Sequence, residues 1–365
     1  MSSASSLSRN IGKLLIFLGV LWICLRYIDV YALPSYTGPL LLIAGGTMII
    51  VSTLARRTAK STVIAEILSI VNIIILAVII AVAISFIISF PGYIRGPYTA
   101  RVEKNLQVEI EDVNLVELTL GTVSGDIVVK SCDEPRFNIK ITVEAGGISE
   151  SAAESFAKRI LEEVDFRKEV SSSGVLRVQV STKSRTWGWL SNYMIHVEAS
   201  IYKNLKITVN TDTVSGDTVI TGLTGERLSI GSVSGEVRIN STFESVSISL
   251  VSGNLDGSLT LRNLDLNMVS GNIDLTLTPS GVGTYDASTV SGDVRLTLTT
   301  GENIGYKISC STVSGSINIF NIPNMLVTSK EDRSEEAVTA NYNEKDIRIT
   351  VSVSTISGDI GVSGK

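Results

Sequence analysis

Two hydrophobic rhythms divide this chain. In the first ninety residues, apolar side chains run on without alternation, from Leu14 to about Leu33, Gly38 to Leu54 and Val63 to Phe90. A membrane-spanning helix needs about 20 mostly apolar residues, with a range of about 17–25. Arg26 and Asp29 interrupt the first run near its far end, and the second is just long enough. The third, whose one charge is Glu66, is long enough to span with tilt. The pattern predicts three transmembrane helices within residues 1–98. The first run lacks a small-residue cleavage site and two further runs follow it, so it reads as an anchor rather than a signal peptide. Glu66, three residues into its run and near a basic loop, reads as snorkelling to the surface rather than as an intramembrane functional acid.

Beyond about residue 105 the rhythm changes to period two, the signature of strands. The alternation is punctuated by a short motif, an aliphatic residue followed by Ser, Gly and a polar residue. It begins with Val123-Ser124-Gly125-Asp126 and ends with Ile356-Ser357-Gly358-Asp359. Its glycines are Gly125, Gly216, Gly235, Gly253, Gly271, Gly292, Gly315 and Gly358, separated by 91, 19, 18, 18, 21, 23 and 43 residues. The spacing of 43 reads as two periods with one motif missing, and that of 91 as one holding an insertion. Alternating aliphatics follow the motifs, as in Val237/Ile239 and Ile273/Leu275, so each period offers about two short strands and two turns. One such unit cannot bury its apolar face alone, but stacked copies form a continuous core. Residues 99–365 are therefore expected to form an all-β solenoid with coils of about 18–23 residues. Eight or nine coils would make a rod of roughly 40 Å. In this reading the motif valine points inward, the serines stack and glycine supplies a backbone conformation closed to other residues. The polar fourth residue faces solvent.

The 91-residue spacing holds a helical insertion, expected over 149–166. Ser151 and Glu154 suit a capping box, and Phe156, Ile160 and Val164 share a stripe, with Ala153, Ala157 and Leu161 beside it. Such a helix is suited to cap one end of the solenoid. Trp187, Trp189 and Tyr193 lie in the most aromatic stretch outside the apolar runs. They are a candidate partner-binding loop for a glycan or lipid headgroup, or they pack as part of the cap, which is the favoured reading. Lys330 to Glu336 reads as a solvated loop, and the chain end after Gly358 reads as an open edge able to add strands from a partner or a second copy.

Charge sharpens the division. Residues 1–101 hold 8 Lys/Arg against Asp29 and Glu66, a net +6; the rest hold 23 basic and 34 acidic residues, a net −11. An acidic domain repels phosphates, which excludes nucleic-acid binding as an expectation. With three spans, Arg9, Lys13, Arg56, Arg57 and Lys60 share one side, against Arg26, Arg95 and Arg101. That bias predicts a cytoplasmic N-terminus and an extracytoplasmic C-terminal domain. Asn240-Ser241-Thr242 would then be an accessible glycosylation sequon.

Candidate chemistry adds little. The chain has one histidine, His196, and three cysteines, Cys24, Cys132 and Cys310. Cys132 and Cys310 are read as small buried apolar residues in preference to a long-range pair. No cluster has metal-ligand spacing. The column Asp126, Asp217, Glu236, Asp293 and Asp359 could suggest calcium, but Asn254, Asn272 and Ser316 dilute it, and a structural turn is the better reading. No catalytic, cofactor or metal site is expected, and an enzyme is the weakest hypothesis.

The motif series, the strand-rich lead-in and His196 to Asn210, with Tyr202-Lys203-Asn204-Leu205 stepping into the repeats, resemble the putative-adhesin family of bacterial and archaeal surface proteins. The resemblance covers about residues 105–365. Tyr202 stands where the family usually has proline. The resemblance implies a β-solenoid and a non-catalytic binding or adhesion role. Its partners would be membrane lipid, a cell-surface glycan or protein, or a second copy at the solenoid edge. Members also resemble envelope-stress components, which implies the alternative of a sensing or regulatory membrane protein.

Overall fold

The computed structural model describes residues 98–182 and 193–365. The three apolar runs, Trp187 and Trp189 lie outside the described residues. Among the described residues no helix is long and apolar enough to cross a membrane. The chain separates into two compact units, and the larger, which includes residues 193–365, carries the stacked strands described below.

This unit is an all-β, solenoid-like stack. Each motif joins an entering strand to a leaving strand. Leu255–Leu261 lies parallel to and in register with Val237–Ser252 on one side and Ile273–Pro279 on the other. The entering strands form a second parallel ladder, in which Asn263–Ser270 pairs with Val237–Ser252 and Gly283–Ser291. Alternate side chains from both ladders point between the sheets, so Leu228, Ile230, Ile248, Leu266, Leu275 and Leu296 are all buried. Each fully buried aliphatic contributes roughly 1.5–3 kcal/mol, and only stacking removes both faces of a coil from water. Phe137, Phe243, Tyr285 and Tyr306 are the largest fully buried side chains. The two tyrosine hydroxyls donate to the carbonyl oxygens of Leu261 and Thr299 at 3.1 and 2.6 Å. Burial pushes both phenols above their ordinary range.

The coils do not stack in chain order. A carbonyl of the Gly125 coil abuts Gly216, then the sequence runs Gly216, Gly235, Gly253, Gly271, Gly292, Gly358 and finally Gly315. The C-terminal strands Ile347–Ser357 and Ile360–Gly364 are inserted between the Gly292 and Gly315 coils. The expectation of an open edge at the chain end is thus corrected: the last coil in sequence is the penultimate coil in space. The Gly125 coil is threaded likewise, between Val175–Thr182 with Tyr193–Tyr202 on one side and the Gly216 coil on the other.

Antiparallel strands finish the stack. Phe137–Gly147 pairs antiparallel with Tyr193–Tyr202, and Val164–Val170 with Val175–Thr182. At the other end Ser334–Thr339 pairs antiparallel with Ile304–Ser314 and with Met325–Glu331. The segment 330–336, expected as a solvated loop in a missing coil, is the tip of this hairpin. Lys330 there forms an ion pair of 2.8 Å with the buried Glu335. A parallel ladder leaves a row of unpaired backbone groups at its end, and a reversed strand covers it without continuing the repeat.

The insertion forms one α-helix, Glu150–Glu163, shorter than the expected 149–166 because residue 164 begins a strand. Its cap is Ser149 rather than Ser151: the Ser149 hydroxyl accepts the Ala152 N–H at 3.2 Å. Ala153, Phe156 and Ala157 are its buried face. Cys132 and Cys310 are both free, Cys132 half-buried and Cys310 buried. Burial, followed by the nearby Glu335 carboxylate, pushes the Cys310 thiol up to about 12.

Candidate binding face

The motif forms one long edge of the stack, and each of its residues there has a distinct job. The motif glycines have positive φ, from 117° at Gly125 to 150° at Gly315. Each also presses on the coil beside it: a Cβ on Gly253 would lie 1.9 Å from the carbonyl oxygen of Gly235. Positive φ and close backbone approach independently demand glycine.

The fourth motif residue is not simply solvent-facing. Where it is Asp or Asn, its side chain accepts the backbone N–H of the fourth residue one coil on, whereas Glu236 pairs with Arg238. Asp126 Oδ1 takes the Asp217 N–H at 2.9 Å, and Asp217 Oδ1 takes that of Glu236 at 2.9 Å. Asn254 serves Asn272, Asn272 serves Asp293, and Asp293 serves Asp359 at 3.0–3.1 Å. Asp359 closes the series on both the N–H and the hydroxyl of Ser316, each at 2.8 Å. Its carboxyl is held below the usual range first by the Ser316 backbone bond, then by the hydroxyl and by Arg295. These carboxylates are therefore engaged in coil-to-coil bonds, and amides replace them freely. Among the described residues no group of three or more His, Cys, Asp or Glu could hold a metal ion.

His196 begins this ladder. Its Nδ1 lies 3.2 Å from the Asp126 backbone nitrogen and 3.1 Å from Asp126 Oδ2. A neutral Nδ1 accepts the N–H and a protonated one donates to the carboxylate; one nitrogen cannot do both. Nearby, Glu103 bridges Lys140 at 2.9 Å and Arg101 at 3.2 Å, and the Lys140 bond leads in lowering its pKa. Lys130 pairs with Glu198. The charges around the histidine are thus in mutual pairs.

The largest departure from expectation concerns the motif valine. It points outward. Val214, Val233, Val251, Val269, Val290, Val313 and Ile356 are 45–55% exposed, and Val123 is half-buried. The strand phase explains it. Leu228, Ile230 and Ser232 face the core, so the next position, Val233, must face out, and the glycine turn follows before the phase can return. The buried place beside the turn goes instead to Thr122, Thr213, Ser232, Thr289, Thr312 and Thr355. Serines stack next to the valines in register: Ser215 with Ser234, Ser252 with Ser270, Ser291 with Ser357. The result is a continuous aliphatic stripe beside a serine stripe. With coils about 4.8 Å apart, eight positions extend about 34 Å. A shallow groove of about 470 Å³ runs along its first four positions, lined by Val123, Val214, Val233 and Val251 and, beside them, by Gly121, Asp212, Gly231 and Ser249.

Tyr193 opens the strand Tyr193–Tyr202 and is half-buried. The aliphatic stripe was missed in the sequence because valine was read by its hydrophobicity; extending the alternation of each entering strand by one residue finds it.

Residues 195–363 match the family described as Toastrack DUF4097, 169 of the 365 residues. A putative cell adhesion protein from Clostridium sporogenes is 14% identical with a TM-score of 0.37, covering 73% of this chain and 100% of its own. A putative adhesin from Bacteroides fragilis is 15% identical with a TM-score of 0.36, covering 73% of this chain and 99% of its own. Comparison with curated proteins gives no match.

Proposed function

We propose that this chain is a membrane-anchored, non-catalytic surface module that binds through the exposed aliphatic and serine stripes of its β-solenoid. The observation that carries this reading is the outward column from Val123 to Val313, an apolar surface of a kind that single soluble domains rarely leave uncovered. A catalytic role would need convergent, unengaged acids or bases; here the repeated carboxylates bond the next coil and those near His196 are ion-paired. In this proposal residues 1–98 form a three-span anchor with its N-terminus in the cytoplasm. Residues 99–365 project outside, and the basic bias of one set of loops supports that orientation.

The test uses the full chain in its own cells. Replacing Val251 by Asp should abolish surface attachment or aggregation while leaving the thermal unfolding of the solenoid nearly unchanged, because this side chain is not in the core. Unchanged attachment with a folded variant removes the reading. A change in envelope-stress transcription without any change in attachment would favour the regulatory alternative. Protease shaving of intact cells checks orientation: digestion of residues 99–365 only after lysis would place them inside.

A further inference from the structure

We infer that the occupant of the valine stripe is a second copy of this chain, docked side by side with its rod pointing the same way. The inference rests on the reading that this stripe is the binding face.

Three observations carry it. The first is period. The stripe repeats once per coil at about 4.8 Å, and a second copy of this stack shares that repeat over all eight positions. The second is area. Seven of the eight aliphatics are 45–55% exposed, so full mutual burial of the stripe covers at most about 1,200 Å², enough to reach the ~1,000 Å² expected of a specific interface. The third is charge. In chain direction the stripe is flanked on one side by Gly121, Asp212, Gly231, Ser249, Asn267 and Ser288, which are mostly neutral. On the other side runs the ladder of Asp126, Asp217, Glu236, Asp293 and Asp359, which keeps a net negative charge although Arg238 and Arg295 pair with Glu236 and Asp293.

Those flanks choose the symmetry. A two-fold axis across the rods would set acidic ladder against acidic ladder, and like charges repel. A two-fold axis along the rods sets each acidic ladder against the neutral flank of the partner. It also brings every valine against its own counterpart.

Single cysteines on the full chain in membranes test it. Cys24 and Cys132 are replaced by Ala, and Cys310 is kept because it is buried. Val214→Cys and Ile356→Cys lie near opposite ends of the stripe, and Asp274→Cys, exposed on the outer face of the leaving strands, is the control. Mild oxidation should convert both the Val214→Cys and the Ile356→Cys chains to disulfide dimers, with the control remaining monomeric. Adding Val251→Asp should abolish the dimer. Dimers that form only when the Val214→Cys and Ile356→Cys chains are mixed would mean opposed rods and overturn the proposal. Cross-linking no greater than the control overturns it too. If attachment is lost on placing Asp in the stripe while no cysteine pair forms, the stripe is a binding face for another molecule and only the present inference falls.

Discussion

His196 Nδ1 and Asp126 Oδ2 lie 3.1 Å apart, and the same ring nitrogen faces the Asp126 backbone nitrogen at 3.2 Å. The lone histidine thus occupies the place that Asp or Asn holds in every other bond of the turn ladder. It marks where the repeat begins.

The ladder predicts which side-chain property matters. Asp217→Ala leaves the Glu236 N–H without its acceptor at a half-buried edge and should cost about 1 kcal/mol, the low end for such a group. Asp217→Asn should be close to neutral, because Asn254 and Asn272 already perform the same task. Thermal unfolding of the three chains measures this. Equal losses for Ala and Asn would mean that the charge, not the acceptor, is used.

The glycine column predicts a steeper response. At Gly253, φ is 138°, and a Cβ would also meet the Gly235 carbonyl oxygen at 1.9 Å. The backbone conformation alone costs about 1–3 kcal/mol for a residue with a Cβ. Gly253→Ala should exceed that, since the two coils must also move apart. By contrast Gly361→Ala, where a Cβ meets nothing within 4 Å, should change stability little. Denaturant midpoints of the two variants give the comparison.

Acid should weaken the end of the stack. The Asp359 carboxyl sits below its ordinary value of 3.8 because it accepts from Ser316 twice and faces Arg295. A depressed folded pKa means that the stabilisation is complete above the ordinary value and is lost as pH falls through the folded one. As pH falls through and below that ordinary value, the Asp359→Asn chain should therefore show a shallower fall in unfolding temperature than the parent. Parallel curves would assign the acid limb to other carboxylates.

Much of this molecule is legible in its sequence, because the relevant constraints are local. The period-two alternation predicts strands, the repeated glycines predict positions of positive φ, and the 18–23-residue spacing predicts a stack. The strand phase that turns Val233 outward is present in the sequence as well, although the residue's hydrophobicity argues against it.

The order of the coils is another matter. Both the Gly315 and the Gly358 coil carry the motif, yet the later one in sequence lies inside and the earlier one ends the stack. That choice is made by Ser334–Thr339, which takes the outer side of Ile304–Ser314 in reverse and leaves the inner side to Ile347–Ser357. The sequence by itself determined the repeating unit and which way each side chain turns, since both follow from backbone geometry over a few residues. Only the tertiary structure decided which unit neighbours which, and so assembled separate half-exposed valines into one stripe, because strand pairing between distant segments depends on which edges the rest of the chain leaves free.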